Sequence, residues 1–364
     1  MKFVCERSVL LKEISVAQEI VSSKNVISIL SSIYIEAEND SLIIKTTDLK
    51  VNFQTKVPVT VIEPGIVMVF ADKFLNILSS SPEGEIEFEL KDSKFHIKTS
   101  VKRVKFQLKI MYSEKFPEFS VSEAEYFEFP VKSFKEMIAQ TVFAVSDDEN
   151  RYYMKGIFLE KKEGKLIMVA TDGRRLAFTN KDADNIDDFA GIIIPLKILT
   201  ILSKRAGDEG LVEISVTDKI IYVKFGTYSL SSVLFEGQFP NYNKVIPEEQ
   251  SNTMTVNRME MLDALRRVSL MVEQKSHRIY FGLKPGVMEI YSEESDIGDA
   301  KEEIPCKYDG EEVALAMNYR YIEEPLKVMN NDEICFRFTN SSKAITLTPV
   351  PETDFFHIIM PMHT

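Results

Sequence analysis

The residues best placed to do chemistry lie in VATDGRRLAF, residues 169–178. Asp172-Gly173 sits between two apolar, strand-like runs, and Arg174 and Arg175 follow directly. Asp can bond its own following backbone and Gly accepts a positive φ, so the pair marks a tight turn between two strands. Taken alone, that is a hairpin. A related piece, IIKTTDLKV, lies about 124 residues earlier, so the turn is also a repeat marker. In the first copy Leu49 stands where Gly173 stands in the second.

The other chemistry-bearing residues are scattered. There is no G-x-S-x-G, no Walker loop, no G-x-G-x-x-G and no H-E-x-x-H. His96 alternates with apolar neighbours, His357 and His363 lie in the tail, and no two of the four histidines have ligand spacing. Cys5, Cys306 and Cys335 are odd in number and lack metal-ligand spacing, which fits a reducing, cytoplasmic compartment and predicts no metal and no cofactor. Asp147-Asp148-Glu149 and Glu293-Glu294-Ser295-Asp296 offer oxygens to a divalent cation, but neither has EF-hand spacing and both read as solvated loops. These features argue against an enzyme.

The elements around the turn recur three times. A strand at Phe3–Cys5 leads to a helix from Ser8 to about Val21, with Leu10, Leu11, Ile14, Ala17, Ile20 and Val21 on one face. Strands Ile33–Ala37, Ser41–Thr46 and Val51–Val57 precede a short helix, Asp72–Ser80, and a strand predicted over Val101–Ile110. In that strand Phe106 and Leu108 alternate with Lys105, Gln107 and Lys109, the lysines being of the kind that guard a sheet edge. The order restarts at Phe127–Phe129 with helices at Val131–Ala144 and Pro195–Arg205. It restarts again at Met254–Val256 with helices at Arg258–Val272 and Asn318–Met329, then two final strands. The short second helices begin about 123 residues apart each time. Each repeat suits an antiparallel sheet with both helices packed on one face, an α+β arrangement. An arc of like units either grows or closes by symmetry.

At 364 residues the chain is long enough for two or three domains. It is 45% hydrophobic and 27% charged, with no run of about eighteen apolar residues to span a bilayer. Lys2, Glu6 and Arg7 interrupt any leader-like apolar stretch, so no signal peptide is expected. The net charge of −12 excludes a chain that is basic all over. Its distribution is uneven: the six helical stretches sum to about +6, against about −18 elsewhere. Exposed helix faces simply carrying lysine and arginine are one reading. The other is a helix-lined positive surface for phosphates on a body that repels nucleic acid elsewhere.

Five pieces in fixed order carry a resemblance across the whole chain. They are Ile29-Leu30 with the strand pair to TTDLKV, NRYYMKGIFLE at 150–160, ATDGRRLAF, FPNYNKVIP at 239–247, and the ending IIMPMHT. The chain resembles the bacterial DNA polymerase III beta subunit family, the sliding clamps. The resemblance implies three repeated sliding-clamp domains, over residues 1–120, 125–248 and 252–364. It also implies a head-to-tail homodimer closing into a pseudo-sixfold ring. Such a ring is a non-catalytic processivity factor that encircles double-stranded DNA and tethers the replicative polymerase. An adaptor that binds peptides without DNA is the alternative class.

By resemblance, DNA-contacting positions fall on Lys24, Tyr152 and Tyr153, with Lys197 and Arg205 added from the basic fourth helix. Two family positions fall on Asp72 and Asp148, where the charge departs from the pattern. A pocket for short peptides of the polymerase III alpha subunit, the clamp loader, other polymerases and repair factors falls on Met154, Thr171, Gly173, Arg174, Arg175, Leu176, Pro240, Lys244, Val245, Asn318, Tyr321, Ile358, Met360, Pro361 and Met362. Its methionines suit one groove accepting several partners. Arg174 and His363 replace a family histidine and arginine, which implies a more acidic peptide. The dimer joint falls on Phe106 and Leu108 with Leu270 and Met271.

Overall fold

The computed structural model describes residues 1–21, 28–111, 116–296 and 298–362. Lys24 and His363 therefore lie outside the described residues. Among those residues are six α-helices: α1 (Arg7–Ile20), α2 (Ala71–Ser80), α3 (Val131–Thr141), α4 (Leu196–Arg205), α5 (Arg258–Val268) and α6 (Tyr319–Val328). The order of strand, helix, strands, helix, strands recurs three times, as the repeat predicts.

The repeats are not the sheet boundaries. One eight-stranded antiparallel sheet joins the first repeat to half of the second, where Tyr228–Val233 pairs with Val51–Pro58 and Leu230 faces Phe53. A second eight-stranded sheet joins the other half to the third repeat. There Arg175–Asp182 pairs with Phe355–Ile359, placing Leu176 opposite Ile358 and Phe178 opposite Phe356. Smaller sheets of five and four strands complete the set. The chain accordingly forms two compact units, Met1–Lys132 with Lys197–Leu234, and Ser133–Leu196 with Phe235–Thr364.

Within the first unit, α1 packs on α2, and Phe74 of α2 presses edge-on against Phe88 and Phe95 of the five-stranded sheet, each at 6.0 Å between ring centroids. Phe3 stacks on Phe88 at 4.7 Å. All four rings are fully buried, each worth about 1.5–3 kcal/mol of transfer free energy. Within the second unit, α5 packs on α6, and strand Arg278–Lys284 alternates half-buried with buried positions. That alternation is the mark of a sheet with one face on the core.

Three expectations about elements are corrected. The strand predicted over Val101–Ile110 is confined to Lys105–Lys109, because Lys102 and Arg103 take left-handed φ values of 58° and 50° in a turn closed by Thr99. The helix predicted over Arg258–Val272 ends at Val268 and tightens into a 3-10 turn, Ser269–Met271. The tail holds three strands rather than two, Glu333–Phe338, Ile345–Val350 and Phe355–Ile359, because Asn340 caps a turn that splits the expected run.

Candidate functional site

The Asp172-Gly173 turn is built by its own side chains. Thr171 Oγ1 donates to the Arg175 carbonyl at 2.6 Å and accepts from the Gly173 N–H at 3.0 Å. Asp172 Oδ1 accepts from the N–H groups of Arg174 and Arg175 at 2.8 and 3.1 Å. Gly173 sits at φ +87°, where a side chain is strained. The first copy repeats the backbone N–H bonds: the Leu49 N–H reaches Thr47 Oγ1 at 2.9 Å, and those of Lys50 and Val51 reach Asp48 Oδ1 at 2.9 and 2.7 Å, while Thr47 Oγ1 donates to Asn52 Oδ1 at 2.6 Å. Leu49 holds φ +73° without the freedom of glycine.

Behind the second copy opens a cleft of about 340 Å³. Met154, Thr171, Gly173, Arg174, Arg175, Leu176, Pro240, Val245, Ile358 and Met360 line it, so ten of the expected pocket residues meet there. Leu176, Tyr242 and Ile358 of its lining belong to a buried cluster completed by Val169, Ile193 and Phe239. Asn241 and Tyr242 also line the cleft, although the pocket assignment omitted them. Both stand inside FPNYNKVIP, where they form the start of a 3-10 turn, and that motif was the available signal. The Tyr242 hydroxyl donates to Glu160, and burial together with that carboxylate raises its pKa.

A second recess of about 450 Å³ adjoins the first and shares Arg174 and Met360 with it. Asn318, Tyr321, Pro361 and Met362 complete the expected residues there, beside Lys275, Ser276 and Arg278, which sequence reasoning did not assign. Asn318 also caps α6 by accepting from the Arg320 N–H. Lys244 is exposed on the 3-10 turn next to Val245, which lines the first cleft. The tail is tied down on both sides, the Met360 N–H to the Arg174 carbonyl at 2.9 Å and the Met362 N–H to the Ala316 carbonyl at 2.7 Å. Through Met362 it is a fixed wall.

Arg175 holds these parts together. Its side chain is 9% exposed, bonds Asp172 Oδ2 through Nε at 3.1 Å, and reaches Glu324 of α6 and the Phe143 carbonyl through its other nitrogens. Beneath it lies His357, fully buried, whose pKa falls to about 3 because burial, and then the Arg175 charge, oppose its protonation. Burial raises the Tyr321 pKa, aided by Asp172 and opposed by Arg175 and Arg174.

The expected DNA positions differ in kind. Tyr152 is 47% exposed and meets Tyr153 edge-on at 5.9 Å, on the 3-10 turn Glu149–Met154. Asp148 caps that turn and binds Arg151 Nε at 2.9 Å; these bonds hold its carboxyl below the usual range and give this acid a structural reason. Asp72 is exposed beside Lys73. Lys197 and Arg205 are already engaged: Lys197 bridges Asp48 Oδ2 and the Ile20 carbonyl, both at 2.7 Å, and Arg205 lies 3.5 Å from Glu19. Of the expected joint residues, Phe106 and Leu108 lie half-buried on the outermost strand of the five-stranded sheet. Leu270 is 77% exposed on the turn after α5, with Met271 beside it. Among the described residues no group of three or more His, Cys, Asp or Glu is arranged to hold a metal, and no helix is long and apolar enough to cross a membrane.

Profiles of the DNA polymerase III beta subunit match three consecutive stretches: its N-terminal domain over residues 1–120, its central domain over 128–241 and its C-terminal domain over 243–363. The chain belongs to the DNA polymerase III beta subunit family. A beta sliding clamp of Treponema pallidum is 44% identical over all of both chains. Among solved structures, a Pseudomonas aeruginosa sliding clamp bound to griselimycin superposes with a TM-score of 0.93 at 26% identity, covering all of each chain. A C. crescentus beta sliding clamp carrying polyethylene glycol at the region proposed for beta-motif tethering superposes at 0.92 with 28% identity, again over all of both chains. The fold is therefore three repeated clamp domains, and the function is that of a sliding clamp, a processivity factor without catalysis of its own.

Proposed function

We propose that the paired recesses beside the Asp172-Gly173 turn are the docking site for short peptides from the polymerase III alpha subunit, the clamp loader, other polymerases and repair factors. The carrying observation is the first cleft itself: an apolar basin floored by buried Leu176 and Ile358 and opened by Val245 and Met360, which are 51% and 45% exposed. Apolar clefts with a few fixed polar groups are what peptide side chains bury into. The test is fluorescence anisotropy with the carboxy-terminal peptide of the alpha subunit from the same cell. Met360→Asp lowers the affinity at least tenfold, about 1.4 kcal/mol; unchanged affinity contradicts the reading.

The working form is a head-to-tail homodimer around duplex DNA in the cytoplasm, with domain limits at residues 1–120, 125–248 and 252–364. Phe106 and Leu108 on one protomer meet Leu270 and Met271 on its partner. The half-buried edge strand and the exposed Leu270 support this joint, because a free edge and an uncovered leucine both gain from a partner. Tyr152 and Tyr153 touch the duplex, joined by Lys24. Lys197 and Arg205 contribute only by leaving the carboxylates that hold them. Contacts of this kind to phosphate are weak and independent of sequence, as sliding requires.

A further inference from the structure

The second recess differs in chemistry from the first. Met360 and Met362 line it, but it also gathers three cations, Arg174, Lys275 and Arg278, from a turn, a loop and a strand. Among the described residues none of the three has a carboxylate within ion-pair distance. Two cations buried elsewhere in the same unit are matched, Arg175 by Asp172 and Glu324 and Lys161 by Asp188. On a chain with 56 acidic and 44 basic residues, three unmatched cations around one cavity mark a place kept for an anion. Arg278 is also incompletely satisfied: its Nε is buried without a partner, and Nη1 reaches only Tyr280 Oη at 3.5 Å. Glu273 and Glu293 act on it through space but form no ion pair.

We propose that this recess is a carboxylate-selecting subsite. It takes an Asp or Glu side chain from a peptide whose apolar anchor occupies the first cleft. Arg174, shared by both cavities, marks the passage between them, and Arg278 with Lys275 receives the acid. A guanidinium offers a carboxylate two parallel N–H bonds, which a lysine beside it supports with its charge. The inference rests on the peptide-docking reading and adds to it the class of peptide preferred.

The experiment compares two synthetic peptides that share a Leu-Phe anchor and differ only in carrying an Asp pair or an Asn pair beside it. Anisotropy is read at low salt and at 1 M salt, on the intact protein and on the double variant Lys275→Gln, Arg278→Gln. The acidic peptide binds about tenfold more tightly at low salt, and at 1 M, where the Debye length is about 3 Å, the preference falls below about threefold. The double variant loses the preference but keeps its affinity for the Asn peptide within about threefold, which also reports that it is folded. Equal binding of the two peptides, or a preference that survives in the double variant, overturns the inference and leaves the docking site standing. Failure of both peptides to bind overturns the docking reading as well. Displacement of the acidic peptide by a short duplex DNA, with the Asn peptide left in place, assigns the cations to nucleic acid instead.

Discussion

The guanidinium of Arg175 lies 4.5 Å above the ring centroid of Tyr321. This contact joins the turn after strand Lys165–Thr171 to helix α6, and with the Asp172 and Glu324 pairs it fixes where the two recesses meet. Arg175→Ala leaves the carboxylates of Asp172 and Glu324 and the Phe143 carbonyl without this partner, so it destabilises by about 3 kcal/mol. Arg175→Lys keeps the charge but loses the planar fork and the stacking, and recovers only part of the loss. Chemical denaturation of both variants, with peptide anisotropy alongside, checks the order.

The two copies of the turn respond to opposite substitutions. Gly173→Ala puts a Cβ in the left-handed region and 3.0 Å from Arg151 Nη1, and costs about 1–2 kcal/mol. Leu49→Gly relieves the same strain at a side chain that is 60% exposed. The glycine gives back about 0.5–1 kcal/mol in chain entropy, leaving a small net gain. Thermal unfolding that moves both variants in the same direction refutes this account of the turn.

Burial of His357 makes stability depend on pH. Its folded pKa of about 3 lies below the unfolded value of 6.5, so the unfolded chain binds the extra proton first. The contribution is complete above pH 6.5 and declines as pH falls from there toward 3, by up to about 1.4 kcal/mol per pH unit. His357→Phe flattens this part of the curve. Denaturation midpoints for the two proteins between pH 7 and 4 should converge or cross as acid is added, and parallel curves would show that His357 is not the group responsible.

Leu270→Lys places a cation at the most exposed leucine of the proposed joint. Monomers are expected, with the fold and peptide binding retained, since Leu270 contributes to neither recess. Sedimentation equilibrium reads the outcome, and an unchanged dimer removes Leu270 from the joint.

Much of this was legible in local sequence. Equal spacing of the second helices reveals the repeats, and the Asp-Gly pair reveals its turn because the hydrogen bonds are made within five residues; that the turn walls a cleft follows only from the resemblance. What escaped depended on residues far apart in the chain. Nothing local says that Lys197 is held by Asp48, or that Arg278 on an alternating strand opens beside Met360. Alternation through Val104 predicts a longer strand before Ile110 than forms, because Lys102 and Arg103 turn the backbone.

The most direct test of the account is topological. The protein is loaded onto nicked circular duplex DNA by the clamp loader of its own cell, the complex is isolated by gel filtration, and the circle is then cut once. A sliding clamp stays with the circle through high-salt washing and leaves when the DNA becomes linear. Protein that is lost from intact circles in high salt, or that remains on the linear product as it did on the circle, contradicts the account.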